Sequence, residues 1–196
     1  MVGWFGNYSS LAISFEGTKN GNTHNLDFSY TVAYASPTTY KVNLNVVLNG
    51  KARAYTLWDL RNGTVLALLL PNGENDTGYA ASNTVLGYFS DLETLDTIAL
   101  QSNNPAYFHS TGNSTVTIGT NSFTVANYAL NTANETVQGC NNSGYGTLNT
   151  YTASLGTPSG SSFELVVSAN FVGSLTDASG TQTFDYTYQV TAFTIA

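Results

Sequence analysis

The sequence predicts an all-β protein: a two-sheet antiparallel β-sandwich of jelly-roll or Ig-like type, with one short helix near residues 91–99. Composition is the first indication, because 28 Thr, 22 Asn, 19 Ser and 18 Gly among 196 residues favour strands and turns. The second is the alternation of apolar and polar residues through most of the chain, which is the period of half-buried strands. The third is the presence of Asn-Gly pairs between alternating runs, which favour hairpin turns.

The N-terminal half holds the most regular alternation. Leu11, Ile13 and Phe15 share one face of a first strand. Further strands are predicted in this half at 26–34, 40–46, 52–59, 64–70 and 78–89. Asn-Gly pairs predict three turns between or after these runs: Asn49-Gly50, Asn62-Gly63 and Asn72-Gly73.

The C-terminal half repeats the pattern after a single helical segment. Ser90-Asp91-Leu92-Glu93 has the form of a capping box and predicts a helix that ends near residue 99. Antiparallel meander and Greek-key connections fit this order of elements better than βαβ units. A long polar loop is predicted at 131–144. Strands are predicted at 106–110, 114–119, 122–129, 145–155, 162–173 and 182–195.

Charge and residue usage exclude several classes of function. Five basic and twelve acidic residues give a net charge of −7 and a pI near 4.4, so the basic surface of a nucleic-acid-binding protein is absent. No apolar run approaches the 18 residues of a membrane span. The two histidines, His24 and His109, and the single Cys140 cannot build a standard zinc site without carboxylates, and no metal-ligand spacing appears. The sequence therefore predicts no metal and no cofactor, and Cys140 has no partner for an internal disulfide.

A glycosidase is the enzymatic alternative, and Glu164 and Asp185 are its candidate carboxylates. Both lie in alternating, aromatic-rich strands that we expect to form one hairpin. A turn centred at 177–178 would place Glu164 opposite Thr191, about 20 Å from Asp185 along the strand. Glycosidases need about 5–9.5 Å between their carboxylates. We therefore expect no catalytic residues, and a secreted carbohydrate-active or lectin-like β-sandwich remains the alternative function.

The sequence contains six Asn-X-Ser/Thr sequons, which are acceptor sites for N-linked glycans in secreted chains. About five would occur by chance at this composition, so the number alone carries no weight. Their placement in predicted turns and loops supports glycosylation. The candidate residues are Asn7, Asn62, Asn75, Asn113, Asn134 and Asn141.

Residues 1–16 form an apolar segment that is separable from the rest of the chain. A Gly/Asn-rich loop at 17–25 follows it as a candidate hinge, and 26–196 are expected to form a single β-sandwich domain. The segment is either the first strand of its own sandwich or a donor strand that fills a groove in a neighbouring subunit. A head-to-tail contact of the second kind propagates as a filament. The candidate donor-strand residues are Val2, Trp4, Phe5, Leu11, Ile13 and Phe15.

The chain resembles archaeal extracellular filament subunits of the thread and bundling-pilus type, which are joined by donor-strand exchange. The resemblance rests on the apolar N-terminal strand, the sequons, the Thr/Ser/Asn-rich hairpins, and the block 116–120 (VTIGT) leading to 122–125 (SFTV). The resemblance extends over the whole chain as a similarity of composition and strand pattern, without a specific motif. It implies an N-glycosylated β-sandwich on the cell surface that polymerises with copies of itself, has no catalytic activity, and acts in adhesion or biofilm formation.

The first residues leave a further alternative open. Residues 1–9 (MVGWFGNYS) lack the basic and apolar regions of a signal peptide. Either the numbering starts at a mature end, or the protein is kept inside a cell. The second case would suit a viral jelly-roll coat protein.

Overall fold

The computed structural model describes residues 6–60, 65–69, 78–79, 98–99, 101–138, 145–177 and 180–196. Thirteen strands lie in these residues. In chain order they are β1 (Tyr8–Lys19), β2 (Asn22–Thr23), β3 (Leu26–Ala35), β4 (Tyr40–Leu48), β5 (Lys51–Asp59), β6 (Val65–Leu69), β7 (Gly78–Tyr79), β8 (Phe108–Ile118), β9 (Asn121–Leu130), β10 (Glu135–Gln138), β11 (Tyr145–Gly156), β12 (Leu165–Asp177) and β13 (Gly180–Ile195).

The strands form where the sequence alternates and turn where Asn-Gly pairs occur. In β13 the buried residues Phe184 and Tyr186 alternate with the exposed residues Asp185 and Thr187. Asn49 and Gly50 both have positive φ, at 48° and 80°, as the hairpin turn between β4 and β5 requires. That predicted turn is confirmed. The predicted turns at 62–63 and 72–73 lie outside the described residues.

All the described strands belong to one antiparallel sheet. Its order is β7-β6-β5-β4-β3-β1-β13-β12-β11-β9-β8, with β2 paired to β1 and β10 paired to β11. Two meanders make up this order: an N-terminal arm from β3 to β7, and a C-terminal arm that contains β8, β9, β11, β12 and β13. Strand β1 lies between the arms. The predicted all-β class and the meander connections are confirmed.

The sheet is curled, with an apolar inner face and a polar outer face. Strands β11 and β12 lie between β9 and β13, so a flat sheet would separate β9 from β13 by about 14 Å. Phe123 of β9 nevertheless contacts Phe193 of β13 edge to face, with ring centroids 6.0 Å apart. The packing of a sandwich therefore arises here within one hydrogen-bonded sheet. Two separate sheets were expected from the sequence.

Two features of the C-terminal half differ in detail from the sequence prediction. The predicted loop at 131–144 contains β10, whose Val137 is fully buried. Strand β10 continues along the same edge of β11 that β9 occupies, after a turn in which Asn134 has a φ of 64°. The predicted strands 106–110 and 114–119 are one strand, β8, interrupted by a bulge at Gly112.

Only residues 98–99 of the predicted helix are described, and they are helical. Ile98 and Ala99 are both fully buried. The predicted start of this helix, at residues 91–97, lies outside the described residues. No helix in the described part of the chain is long and apolar enough to cross a membrane.

Gly173 of β12 provides a test of how closely the C-terminal arm is packed. A Cβ at this position would lie 2.1 Å from the carbonyl oxygen of Thr147. We expect Gly173→Ala to lower the free energy of unfolding by about 3 kcal/mol, because β11 and β12 must move apart. Urea denaturation measures the change.

Gly21 supplies the matched control for Gly173. A Cβ at Gly21 meets nothing within 4 Å, although the residue has a φ of 75°. Gly21→Ala should therefore cost only about 1 kcal/mol of backbone strain. Equal losses in the two variants would contradict the close approach of β11 to β12 at Gly173.

Candidate functional site

Strand β1 is the only described strand that joins the two arms of the sheet by hydrogen bonds. It pairs with β3 from Ser10 to Phe15 and with β13 from Tyr8 to Lys19. Without β1, the edges of β3 and β13 would face each other across two strand spacings, about 10 Å. That gap is the width of one inserted strand. We call the space that β1 occupies the β3/β13 groove.

The inner face of β1 fills the apolar side of the β3/β13 groove. Leu11, Ile13 and Phe15 are no more than 2% exposed. The ring of Phe15 lies 4.2 Å from that of Tyr186, measured between centroids. Complete burial of such a side chain stabilises a fold by about 2 kcal/mol. Three of the six predicted donor-strand residues therefore lie in this groove, within their own chain, and Val2, Trp4 and Phe5 are outside the described residues.

Tyr8 fills the start of the groove, and the sequence analysis did not select it. Its hydroxyl donates a hydrogen bond to the carbonyl oxygen of Phe163 at 3.0 Å. The hydroxyl of Tyr30 donates to the carbonyl oxygen of Tyr8 at 3.3 Å. Ring edges of Phe163 and Phe193 complete the enclosure. A bulge between Tyr8 and Ser10 places Tyr8 on the inner face, three residues from Leu11, and thereby breaks the alternation that would have revealed it.

Burial around Tyr8 and Tyr30 changes the acidity of both phenols. Desolvation raises the pKa of Tyr30 well above its usual value, and the nearby Tyr8 raises it further. Desolvation also raises the pKa of Tyr8, against a smaller lowering by the hydroxyl of Ser161, which donates to the Tyr8 hydroxyl at 3.4 Å. Both phenols therefore stay protonated in the fold.

The other end of β1 is fastened by backbone and amide hydrogen bonds. The predicted hinge at 17–25 contains β2 and the tight turn that precedes it. The backbone N–H of Asn20 donates to the carbonyl oxygen of Thr183, and that of Thr183 donates to the side-chain oxygen of Asn20, both at 2.8 Å. The backbone N–H of His24 donates to the carbonyl oxygen of Gly17 at 2.9 Å. The segment is therefore an ordered turn in this arrangement of the chain.

The structure does not bring the candidate glycosidase carboxylates together. Both side chains are exposed, Glu164 just before β12 and Asp185 on β13. The register pairs Asp185 with Val172, which lies eight residues along the strand direction from Glu164. This offset is about 26 Å, two residues longer than predicted and far beyond the separation that a glycosidase requires. Among the described residues, no cluster of three or more His, Cys, Asp or Glu residues could hold a metal ion.

The described sequons differ in accessibility. Asn113 is exposed on β8, and Asn134 is exposed in the turn between β9 and β10. Asn7 is half-buried, and its side-chain oxygen accepts a hydrogen bond from the hydroxyl of Ser162 at 3.2 Å. Asn62, Asn75 and Asn141 lie outside the described residues, as does Cys140.

Comparisons with known proteins add little to this geometry. No family model and no curated protein matches the chain. Among solved structures, it is similar to a domain from Vibrio parahaemolyticus that is named as an outer membrane lipoprotein-sorting protein, with a TM-score of 0.32 and 6% identity. The match covers 95% of this chain and 84% of that one. A similarity of this size assigns neither fold nor function.

The buried phenol of Tyr30 predicts a loss of stability at alkaline pH. The unfolded chain releases this proton near pH 10, whereas the folded chain keeps it, so stability is complete below pH 10 and falls as the pH rises above it. The contribution of Tyr30 is a loss of about 1.4 kcal/mol per pH unit. Tyr30→Phe should remove that contribution from urea denaturation curves recorded between pH 9.5 and 11.5. Tyr34→Phe, at a residue that is 58% exposed, is the control and should retain the full slope.

The sequons predict selective glycosylation of the folded chain. In a host that modifies folded proteins, we expect glycans on Asn113 and Asn134, because their amides reach solvent, and none on the half-buried Asn7. Mass spectrometry of glycopeptides measures occupancy, and Asn113→Gln should remove one glycan and leave Asn134 modified. Full occupancy of Asn7 would contradict the packing of residue 7 against Ser162.

Proposed function

We propose that the protein is a structural subunit of an extracellular filament or pilus, which polymerises head to tail by inserting β1 into a neighbouring copy. One observation carries this proposal: β1 is the hydrogen-bonded link between the two arms, and it is also the first strand that the structure describes. No other described strand precedes β1, so it can leave the sheet without displacing a connection between two described strands. The groove that it vacates is then filled by β1 of the next copy.

Strand exchange preserves the contacts that hold β1 in place. A neighbour's β1 forms the same backbone pairs with β3 and β13 and buries the same side chains, so exchange of an identical element has a low energetic cost. The difference between insertion in the same chain and insertion in another chain lies in the connecting segment. Strand β1 ends at Lys19, so the connecting segment is residues 20–25, which span about 20 Å between subunits once extended.

The surface of the chain suits an exposed polymer. Charged residues make up only 9% of the sequence, and most exposed residues of the described strands have neutral hydroxyl or amide side chains. In this proposal the accessible sequons bear glycans, the partners are copies of the same chain, and the filament acts outside the cell in adhesion or biofilm formation. The role is structural, without catalysis.

One feature favours a lectin-like function as a second candidate. A shallow cavity of about 280 Å³ crosses β11, β12 and β13. Its rim combines hydroxyl and amide groups, which can donate hydrogen bonds to a neutral sugar and accept them from it. The rim residues are Thr152, Ser154, Ser168, Asn170, Thr187 and Gln189.

Exchange of β1 predicts a disulfide between two chains at a defined position. Glu16 of β1 pairs with Thr187 of β13, and both side chains are exposed. One chain would carry Glu16→Cys and a second, larger tagged chain Thr187→Cys, both with Cys140→Ser. After the two are unfolded, mixed and refolded together, mild oxidation should give the mixed dimer, because directly opposed residues of paired strands meet the geometry of a disulfide.

Gln189→Cys in the second chain is the matched control. Gln189 is exposed on the same face but lies two residues along β13, so its Cα is about 7–8 Å from that of residue 16 and the mixed dimer should be at least ten-fold less abundant. Negative-stain microscopy of the unsubstituted refolded chain should show filaments. Chains that stay monomeric and give no mixed dimer would overturn the proposal. Neutral-sugar binding would then favour the lectin, and closed shells would favour a coat protein.

A further inference from the structure

We infer that the β3/β13 groove accepts its strand in a single register, fixed by Tyr8 at one end and Gly17 at the other, and so selects a second copy of this chain as its partner. The inference rests on the proposed exchange of β1. It adds the recognition rule: a tyrosine and a glycine nine positions apart, with the apolar residues Leu11, Ile13 and Phe15 between them.

The apolar pattern of β1 cannot fix the register by itself. A slip of one residue turns every side chain to the opposite face and is excluded by burial. A slip of two residues keeps each face in place, and two of the three apolar places would still receive apolar side chains, Ile13 and Phe15 in one direction or Leu11 and Ile13 in the other. Discrimination against that slip has to come from positions where the side chain itself is constrained.

Gly17 is the constrained position at the hinge end. A Cβ there would lie 1.8 Å from the carbonyl oxygen of Asp185 and 2.9 Å from a ring carbon of Tyr186. Its φ of 152° also falls in a region that residues with a Cβ rarely adopt. A slip of two residues brings Phe15 or Lys19 to this place, and each of them has the Cβ that the site excludes.

Tyr8 is the constrained position at the other end. The pocket supplies the carbonyl oxygen of Phe163 to the Tyr8 hydroxyl and encloses the ring between Phe163 and Phe193. A slip of two residues would place Gly6 or Ser10 in this pocket. Neither fills the enclosure, and the carbonyl oxygen of Phe163 would lose the hydrogen bond from the Tyr8 hydroxyl and keep only that from Ser161.

Moving the tyrosine and the glycine two residues along β1 should move the register of β1 against β13 by two residues. The shifted chain carries Tyr8→Ser, Ser10→Tyr, Gly17→Phe and Lys19→Gly. When its β1 binds two residues out of the original register, Ile13 and Phe15 take the places of Leu11 and Ile13. The new aromatic side chain at position 17 then takes the place of Phe15. With Glu16→Cys and Cys140→Ser added, the shifted chain is refolded with the Thr187→Cys or the Gln189→Cys chain. The unshifted chain favours residue 187 by at least ten-fold, and the shifted chain should favour residue 189 by a similar factor.

The outcomes separate this inference from the proposed exchange. A mixed dimer with residue 187 in the unshifted chain, together with an unchanged preference in the shifted chain, would overturn register selection and leave strand exchange intact. No mixed dimer in either case would overturn strand exchange itself.

Single substitutions test the same inference if the shifted chain does not fold. Gly17→Ala in the Glu16→Cys chain should reduce the mixed dimer with residue 187 at least ten-fold. Gly21→Ala should leave it within two-fold, because a Cβ at residue 21 meets no neighbouring atom. Equal yields for the two variants would overturn the role of Gly17.

Discussion

The backbone pairing of β1 along both of its edges is the interaction on which the rest of the sheet depends. Each arm is a meander whose contacts are mostly between strands that follow each other in the chain. The β1–β13 ladder is different, because it pairs residues from opposite ends of the sequence, such as Leu11 with Phe193. The chain between β1 and β13 forms a long loop, and closing it costs conformational entropy before the strand contacts can form. We therefore expect the arms to form before β1 docks.

The composition of the chain leaves the strand edges of an unfilled β3/β13 groove open to pairing with other molecules. Strand edges are normally protected from intermolecular pairing by lysine, proline or inward-pointing charges. No Lys or Arg follows Arg61 in the sequence, and β13 contains no proline. Its edge therefore has little protection against pairing when β1 is absent. Covering that edge, whether by the chain's own β1 or by a neighbour's, is a requirement of this sequence.

The sequence predicted the strands well and the site only in part, for reasons that lie in particular residues. Alternation and the Asn49-Gly50 pair record local preferences, so β3, β4 and β13 were predictable. The inward side chain of Tyr8 depends on a bulge in its pairing with β13, which alternation within β1 cannot show. Val137 is a single buried residue in a short strand, too little for a periodic signal. The contact of Phe123 with Phe193 depends on curvature accumulated over several strands.

If β1 is exchanged as proposed, a closed single chain and a strand-exchanged polymer are alternative states of one sequence. In that proposal the groove contacts are equal in the two states, so the choice rests on the connection at residues 20–25 and on which β1 is available when the arms have formed. In the closed chain, the pairing of Asn20 with Thr183 and the bond from His24 to Gly17 stabilise the compact turn. In the proposed polymer, an extended link between subunits would replace those bonds. Under that proposal, a high local concentration of partly folded chains favours the polymer, and isolated folding favours the closed chain.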